Sequence, residues 1–170
     1  MGEPARTERE RLARALLRAE LEELVVENAY LLDRGLFAEL VELYTDDCEV
    51  VRPLPPFDGE RQETIRGRLA LRAWYAGPAW PRTPRTMRHV VSNLRVGDVN
   101  EHRVTATLTL LGYRYEGAGV SVAKPMMVGD YEDEYRRGAD GSFRIHRRRV
   151  VIGFLNQELL DAAAAGAQSG

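Results

Sequence analysis

The chain has 170 residues, with 24 basic and 26 acidic side chains and a formal charge of −2. That length suits one domain with a real core, and the interspersed charges form no basic stripe for a nucleic acid. No apolar run approaches the ~18 residues of a membrane span, and residues 1–18 lack the apolar centre of a signal peptide, which predicts a cytoplasmic protein.

Residues 8–34 read as one long amphipathic helix, with Leu12, Leu16, Leu17, Leu21, Leu24, Val25, Leu31 and Leu32 recurring at helical spacing and Gly35 as its C-cap. Residues 1–18 carry eight charged side chains and read as a helical extension that projects beyond the core, to pack on a partner subunit or stay solvated. Late in the helix, Val26, Tyr30, Asp33 and Phe37 share a stripe, so Tyr30 and Asp33 can present their polar tips at one place. A short second helix follows over residues 36–44, then a turn at Thr45-Asp46-Asp47 and a strand from Cys48 to Arg52. Pro53, Pro55 and Pro56 interrupt regular structure, and Asp58-Gly59 signals a turn. Residues 60–76 resume a helical pattern, with Ile65, Leu69, Ala73 and Ala76 on one side, closed by Gly77-Pro78. The proline-rich stretch 78–86, with Trp80, reads as a stiff loop at a rim.

From there the period is two. Strands are expected over residues 85–97, 102–115, 121–136 and 142–153, joined by turns at Gly97–Asn100, Gly117–Gly119 and Gly138–Gly141. Gly112, Gly129 and Gly153 inside strands suggest bulges. Helices first and an antiparallel meander afterwards define an α+β fold: a cone-shaped barrel in which N-terminal helices pack into a strongly curved, mostly antiparallel sheet. The domain is expected to span residues 19–155, with 156–170 as a tail beginning in a helical turn or two. The mouth of such a cone is a default ligand pocket.

The stretch Arg88-His89-Val90-Val91-Ser92-Asn93 puts polar groups on what should be a buried strand face. Counting by twos, His89 shares its side with Met87, Val91, Asn93 and Arg95. A His in an apolar cavity is a candidate acid/base, and an Asp that accepts its ring N–H fixes the tautomer. Asp33 and Tyr30 are the candidates to meet His89, with the first helix packed into the mouth of the sheet. Asn93 either orients a substrate oxygen or satisfies the backbone near a bulge. Tyr113 and Tyr131 are strand aromatics able to reach the cavity, with Trp74 and Met87 as further lining. Tyr115 and Tyr135 read as packing residues. Asp133 shares a strand face with Tyr131, in a run with acidic residues on both sides.

Other chemistries lack support. His102 sits beside a turn, and His146 lies among Arg144 and Arg147–Arg149 with an ambiguous phase. Cys48 is the only cysteine and reads as a small buried residue. Lys124 is the only lysine, with nothing to depress its pKa, which argues against Schiff-base chemistry. No metal-binding spacing, glycine-rich phosphate loop or Gly-x-Ser-x-Gly elbow is present, so no metal and no cofactor are expected.

Four stretches, Glu27–Asp47, Ile65–Gly77, Arg85–Val96 and Val128–Val151, together resemble the SnoaL-like branch of the nuclear transport factor two-like superfamily. The resemblance covers residues 20–153 and lies more in the order and spacing of the stretches than in any one motif. It implies a cone-shaped barrel with a deep pocket. In the scytalone dehydratase-like and steroid or bile-acid dehydratase-like members, a Tyr and an Asp on the first helix and a strand His carry acid/base chemistry. Those roles fall on Tyr30, Asp33 and His89. Scytalone dehydratase has a second pocket His on the following strand, and residues 110–115 here contain none.

Arg85, Arg88, His89 and Asn93 also match a motif of the β subunit of aromatic-ring-hydroxylating dioxygenases, which mainly supports its catalytic partner. The expectation is therefore a cofactor-independent dehydratase, isomerase or cyclase acting on a small hydrophobic, polycyclic or polyketide-like substrate of secondary metabolism. The alternatives are a dioxygenase β subunit and a binder of hydrophobic ligands. A partly apolar sheet face predicts a homodimer or higher homo-oligomer.

Overall fold

The computed structural model describes residues 7–54, 57, 61–77, 87–114, 124–156 and 158. Helix α1 (Glu8–Arg34) begins at Thr7, whose hydroxyl accepts the Glu10 N–H while the Glu10 carboxylate accepts the Thr7 N–H. It ends at Gly35, whose φ of 68° is the left-handed conformation that glycine adopts without penalty. Leu21, Val25, Asn28, Ala29, Leu31 and Leu32 are its buried residues, and this face lies chiefly against strand β3 (Met87–Val99). Leu12 and Leu16 in the first half are exposed.

Helix α2 (Phe37–Glu42) leads into strand β1 (Tyr44–Pro53), which runs through Thr45-Asp46-Asp47, so those residues are not a turn. A register irregularity lies between Tyr44 and Glu49, and pairing with β6 (Phe143–Leu155) at Tyr44 and from Glu49 onward holds the chain between them extended.

The expected helix over residues 60–76 is two elements. Strand β2 (Gln62–Arg66) pairs antiparallel with β1, Gly67 turns the chain at φ 84°, and helix α3 (Arg68–Ala76) follows. Cross-strand pairing outweighs the helical reading because Ile65 is buried opposite Val50. The buried helical pair is Leu71 and Tyr75, whereas Leu69 is 82% exposed.

Strands β3, β4 (Arg103–Arg114), β5 (Lys124–Arg137) and β6 form the expected meander. The six-stranded sheet has the order β2-β1-β6-β5-β4-β3, antiparallel except between β1 and β6. Among the described residues β2 and β3 are edges, so the α+β fold is a curved open sheet and not a closed barrel. The turns at Asp58-Gly59 and Gly117–Gly119, the 78–86 loop with Trp80, Tyr115 and nearly all of the tail lie outside the described residues.

The curvature comes from bulges. In β3, Asn93 and Leu94 face one residue of β4, since Ser92 pairs with Thr109 and Arg95 with Thr107. In β6, His146 and Gly153 are each an extra residue against β5. Met126 is extra in β5 beside Gly112. Each bulge turns the following side chains to the other face. In β3, Met87, His89 and Val91 are the more buried residues before Asn93, and Leu94 and Val96 after it.

Candidate active site

A cavity of about 340 Å³ lies between α1, α3 and the inner face of the sheet. Its lining is mostly apolar, with Leu32, Met87, Leu110 and Val150 among the walls. Trp74 and Tyr75 close one side from α3, and Tyr75 stacks on Phe37 with ring centroids 5.2 Å apart.

His89 stands on β3 at this wall with Asp33, from the last turn of α1, behind it. The ring Nδ1 is 2.7 Å from Asp33 Oδ1, and the His89 backbone N–H also donates to the carboxylate, at 3.2 and 3.1 Å. The two side chains are 6% and 8% exposed. An ionised carboxylate only accepts, so Nδ1 carries the proton and Nε2, which has no partner among the described residues, is the acceptor of the neutral ring. Arg88 flanks the pair, with Nη1 3.6 Å from Asp33 Oδ2.

A second polar group lines the cavity from β6. Arg148 Nε and Nη2 donate to Asp133 Oδ1 and Oδ2 at 2.9 and 2.7 Å, and Nη1 donates to Asn28 Oδ1 at 2.6 Å and to the Tyr44 hydroxyl at 3.5 Å. Asn28 Nδ2 donates to Tyr44 at 3.2 Å, and the Tyr135 hydroxyl donates to Asp133 at 2.6 Å. Asn28, Tyr44 and Arg148 reach the cavity, while Asp133 and Tyr135 are not part of its lining. Burial works against the Arg148 charge, and Asp133 more than offsets it, holding the guanidinium charged. Burial pushes the hydroxyls of Tyr44, Tyr75, Tyr131 and Tyr135 up in pKa, so they remain donors at neutral pH. Nearer β2, Arg52 lies 4.7 Å over the Trp74 ring and pairs with Glu63 at 3.0 Å.

The structure thus brings His89, Asp33, Tyr131, Trp74 and Met87 together at the cavity. It places three expected site residues elsewhere. Tyr30 is 49% exposed under the Arg34 guanidinium, because the buried stripe of α1 runs through Leu21, Val25, Asn28 and Leu32. Asn93 is exposed at φ 55°, the bulge residue itself. Tyr113 is half-buried and not part of the cavity lining.

His146 also lies away from the cavity, with Nδ1 3.0 Å from Thr45 Oγ1 and 3.3 Å from Asp47 Oδ1. His102 is exposed, and Cys48 is fully buried. Among the described residues, no three His, Cys, Asp or Glu side chains group closely enough to hold a metal ion, and no helix is long and apolar enough to cross a membrane.

Asn28, Tyr44 and Arg148 were missing from the expected site. The one available signal was a polar Asn at a heptad-like position among the α1 leucines. Arg148 is hidden by its run of basic neighbours.

A helix-capped, curved α+β sheet with a His–Asp pair at the wall of an apolar pocket defines a pocket protein equipped for proton transfer. The chain belongs to the SnoaL-like domain family, whose model matches residues 13–149. Three solved structures from Novosphingobium aromaticivorans share the fold. A candidate scytalone dehydratase is 21% identical, with a TM-score of 0.66, over 84% of this chain and 88% of that one. The β subunit of a candidate aromatic-ring-hydroxylating dioxygenase is 14% identical, with a TM-score of 0.70, over 85% and 94%. A nuclear transport factor two-like protein with a cystatin-like fold is 23% identical, with a TM-score of 0.68, over 94% and 98%. No curated protein matches the chain.

Proposed function

We propose that this protein is a cofactor-independent acid/base enzyme that dehydrates, isomerises or cyclises a small hydrophobic, polycyclic or polyketide-like substrate. The observation that carries this reading is the His89 Nδ1–Asp33 contact of 2.7 Å at the wall of a mostly apolar cavity of about 340 Å³. His89 Nε2 takes a proton from carbon next to a carbonyl and returns it to carbon or to a leaving hydroxyl. Asp33 orients the ring and compensates its positive charge. Positioned proton transfer of this kind contributes ~10²–10⁴-fold in rate. Tyr30, exposed on the far side of α1, has no part in this reading.

The test is turnover by His89→Ala against a panel of fused-ring hydroxyketones. A loss of that order, with unfolding and ligand affinity unchanged, supports the reading, and unchanged turnover overturns it. A β-subunit role is the second reading, supported by the match of Arg88, His89 and Asn93 to that motif and by the fold of the dioxygenase subunit. Co-purification with a larger iron-containing chain tests it. Self-association belongs to both readings, since Val90 and Phe154 are exposed at 48% and 74%. Ultracentrifugation showing only monomer at micromolar concentration removes it.

A further inference from the structure

The cavity lining holds three nitrogen groups backed by carboxylates, His89, Arg52 and Arg148, and the acid/base reading uses only His89. Arg148 is the buried guanidinium among them. A guanidinium has five N–H groups. Asp133 takes two, Asn28 takes one and Tyr44 takes one, leaving one Nη2 N–H without a partner among the described residues. Beside it, the Tyr131 ring stacks on the guanidinium at 4.0 Å. Tyr131 is 7% exposed and lines the cavity, yet its hydroxyl has no hydrogen-bond partner among the described residues. No buried side-chain polar atom of the described residues lacks a partner, so this hydroxyl is open to the cavity, where a bound oxygen can accept from it. Every other polar group of this network is paired.

We propose that Tyr131 and Arg148 form an oxygen-binding subsite that receives a carbonyl or phenol oxygen of the substrate and stabilises it as an oxyanion. The proposal rests on the acid/base reading of the same cavity and names its substrate class: hydrophobic ketones and phenols, rather than hydrocarbons or ethers. His89 Nε2 removes a proton from the carbon next to the carbonyl. That C–H pair becomes the C=C bond of an enolate, and the carbonyl π pair moves onto oxygen. The Tyr131 O–H and the free Arg148 N–H donate to that oxygen. The charge needs no external proton, and His89 later returns its own to carbon or to the leaving hydroxyl. Donors placed beforehand where charge develops are worth most in a site that excludes water.

The test uses 4-nitrophenol, whose anion is coloured, and its methyl ether 4-nitroanisole, which cannot ionise. Wild-type protein is expected to bind the phenol at least about tenfold more tightly than the ether and to lower the pH at which bound phenol ionises. His89→Ala is expected to keep both properties while losing turnover. Tyr131→Phe removes one oxygen that has no partner, so it folds normally and loses most of the preference. The paired change Arg148→Met with Asp133→Leu removes both charges together and abolishes the ionisation shift. Equal affinity for the two probes in wild type overturns the proposal, and so does an undiminished preference in Tyr131→Phe. A phenol preference without turnover of any ketone keeps the subsite and removes the acid/base reading.

Discussion

Asp133 grips Arg148 with both carboxylate oxygens, at 2.9 Å to Nε and 2.7 Å to Nη2, in a pair whose side chains are 0% and 4% exposed. The two charges sit on neighbouring central strands, β5 and β6, as direct partners in the register. Desolvation alone would make either one very costly, and each is tolerated because of the other. Removing one partner leaves an uncompensated buried charge. Arg148→Met or Asp133→Leu alone is expected to destabilise the fold by about 3–5 kcal/mol. The double substitution is expected to lose much less than the sum of the two. Urea unfolding of the four proteins measures the coupling, and additive losses would show that the pair does not act as a unit.

At Asn93 the issue is backbone, not ligand. Its φ of 55° lies in the left-handed region, where an L side chain costs ~1–2 kcal/mol and Asn is among the tolerated residues. Asn93→Gly is therefore expected to leave stability unchanged or slightly raised, and Asn93→Val to lower it by about 1–2 kcal/mol. Ligand affinity should be the same in Asn93→Gly as in wild type. A clear drop in affinity there, with stability intact, would return the side chain to the site.

That bulge also explains where a period-two reading stops working. From Met87 to Val91 the alternation points the odd residues inward, so His89 and Met87 are legible as cavity residues. Past Asn93 the count is off by one, and Leu94, not Asn93 or Arg95, is buried. In β6, the extra residue His146 shifts the phase between buried Ile145 and buried Arg148. Counting by twos from Ile145 would bury Arg147 and Arg149, so the one buried arginine in that run is invisible. The helix α1, its Gly35 cap and the four-strand meander were legible because each is long and locally consistent. Strand β2 was not, since Gln62–Arg66 is short and its extended form is set by β1, a distant segment. The Asn28–Tyr44–Asp133–Arg148 group draws on four separate elements, and only the folded register assembles it.

Two strand glycines should differ sharply in tolerance. A Cβ on Gly129 would stand 2.3 Å from the Val151 carbonyl oxygen, which is backbone in the central ladder and cannot move away cheaply. On Gly112 the nearest atom is Met127 Cγ at 2.8 Å, part of a flexible side chain. Gly129→Ala is expected to lose about 3 kcal/mol and Gly112→Ala about 1 kcal/mol. Thermal unfolding ranks the two directly, and equal losses would mean that the β5–β6 ladder adjusts at Gly129.

Cys48 gives the fold a pH dependence with a definite sign. Burial pushes its thiol from 9.0 up to about 11, with the nearby Asp47 charge adding to the effect. In the unfolded chain the thiol ionises from about its ordinary value, while in the folded protein it stays neutral. The unfolded state therefore holds fewer protons above that value, and stability falls as pH rises. The contribution is fully present below 9.0 and is lost as pH climbs towards 11, amounting to ~2–3 kcal/mol over that window. The buried tyrosines add losses of the same sign, so wild type must be compared with Cys48→Ala, which keeps the tyrosines and lacks the thiol. Cys48→Ala creates a small cavity and starts less stable, but its stability should decline less steeply across the window. Parallel declines in urea unfolding would show that the thiol ionises as readily inside the fold as outside it.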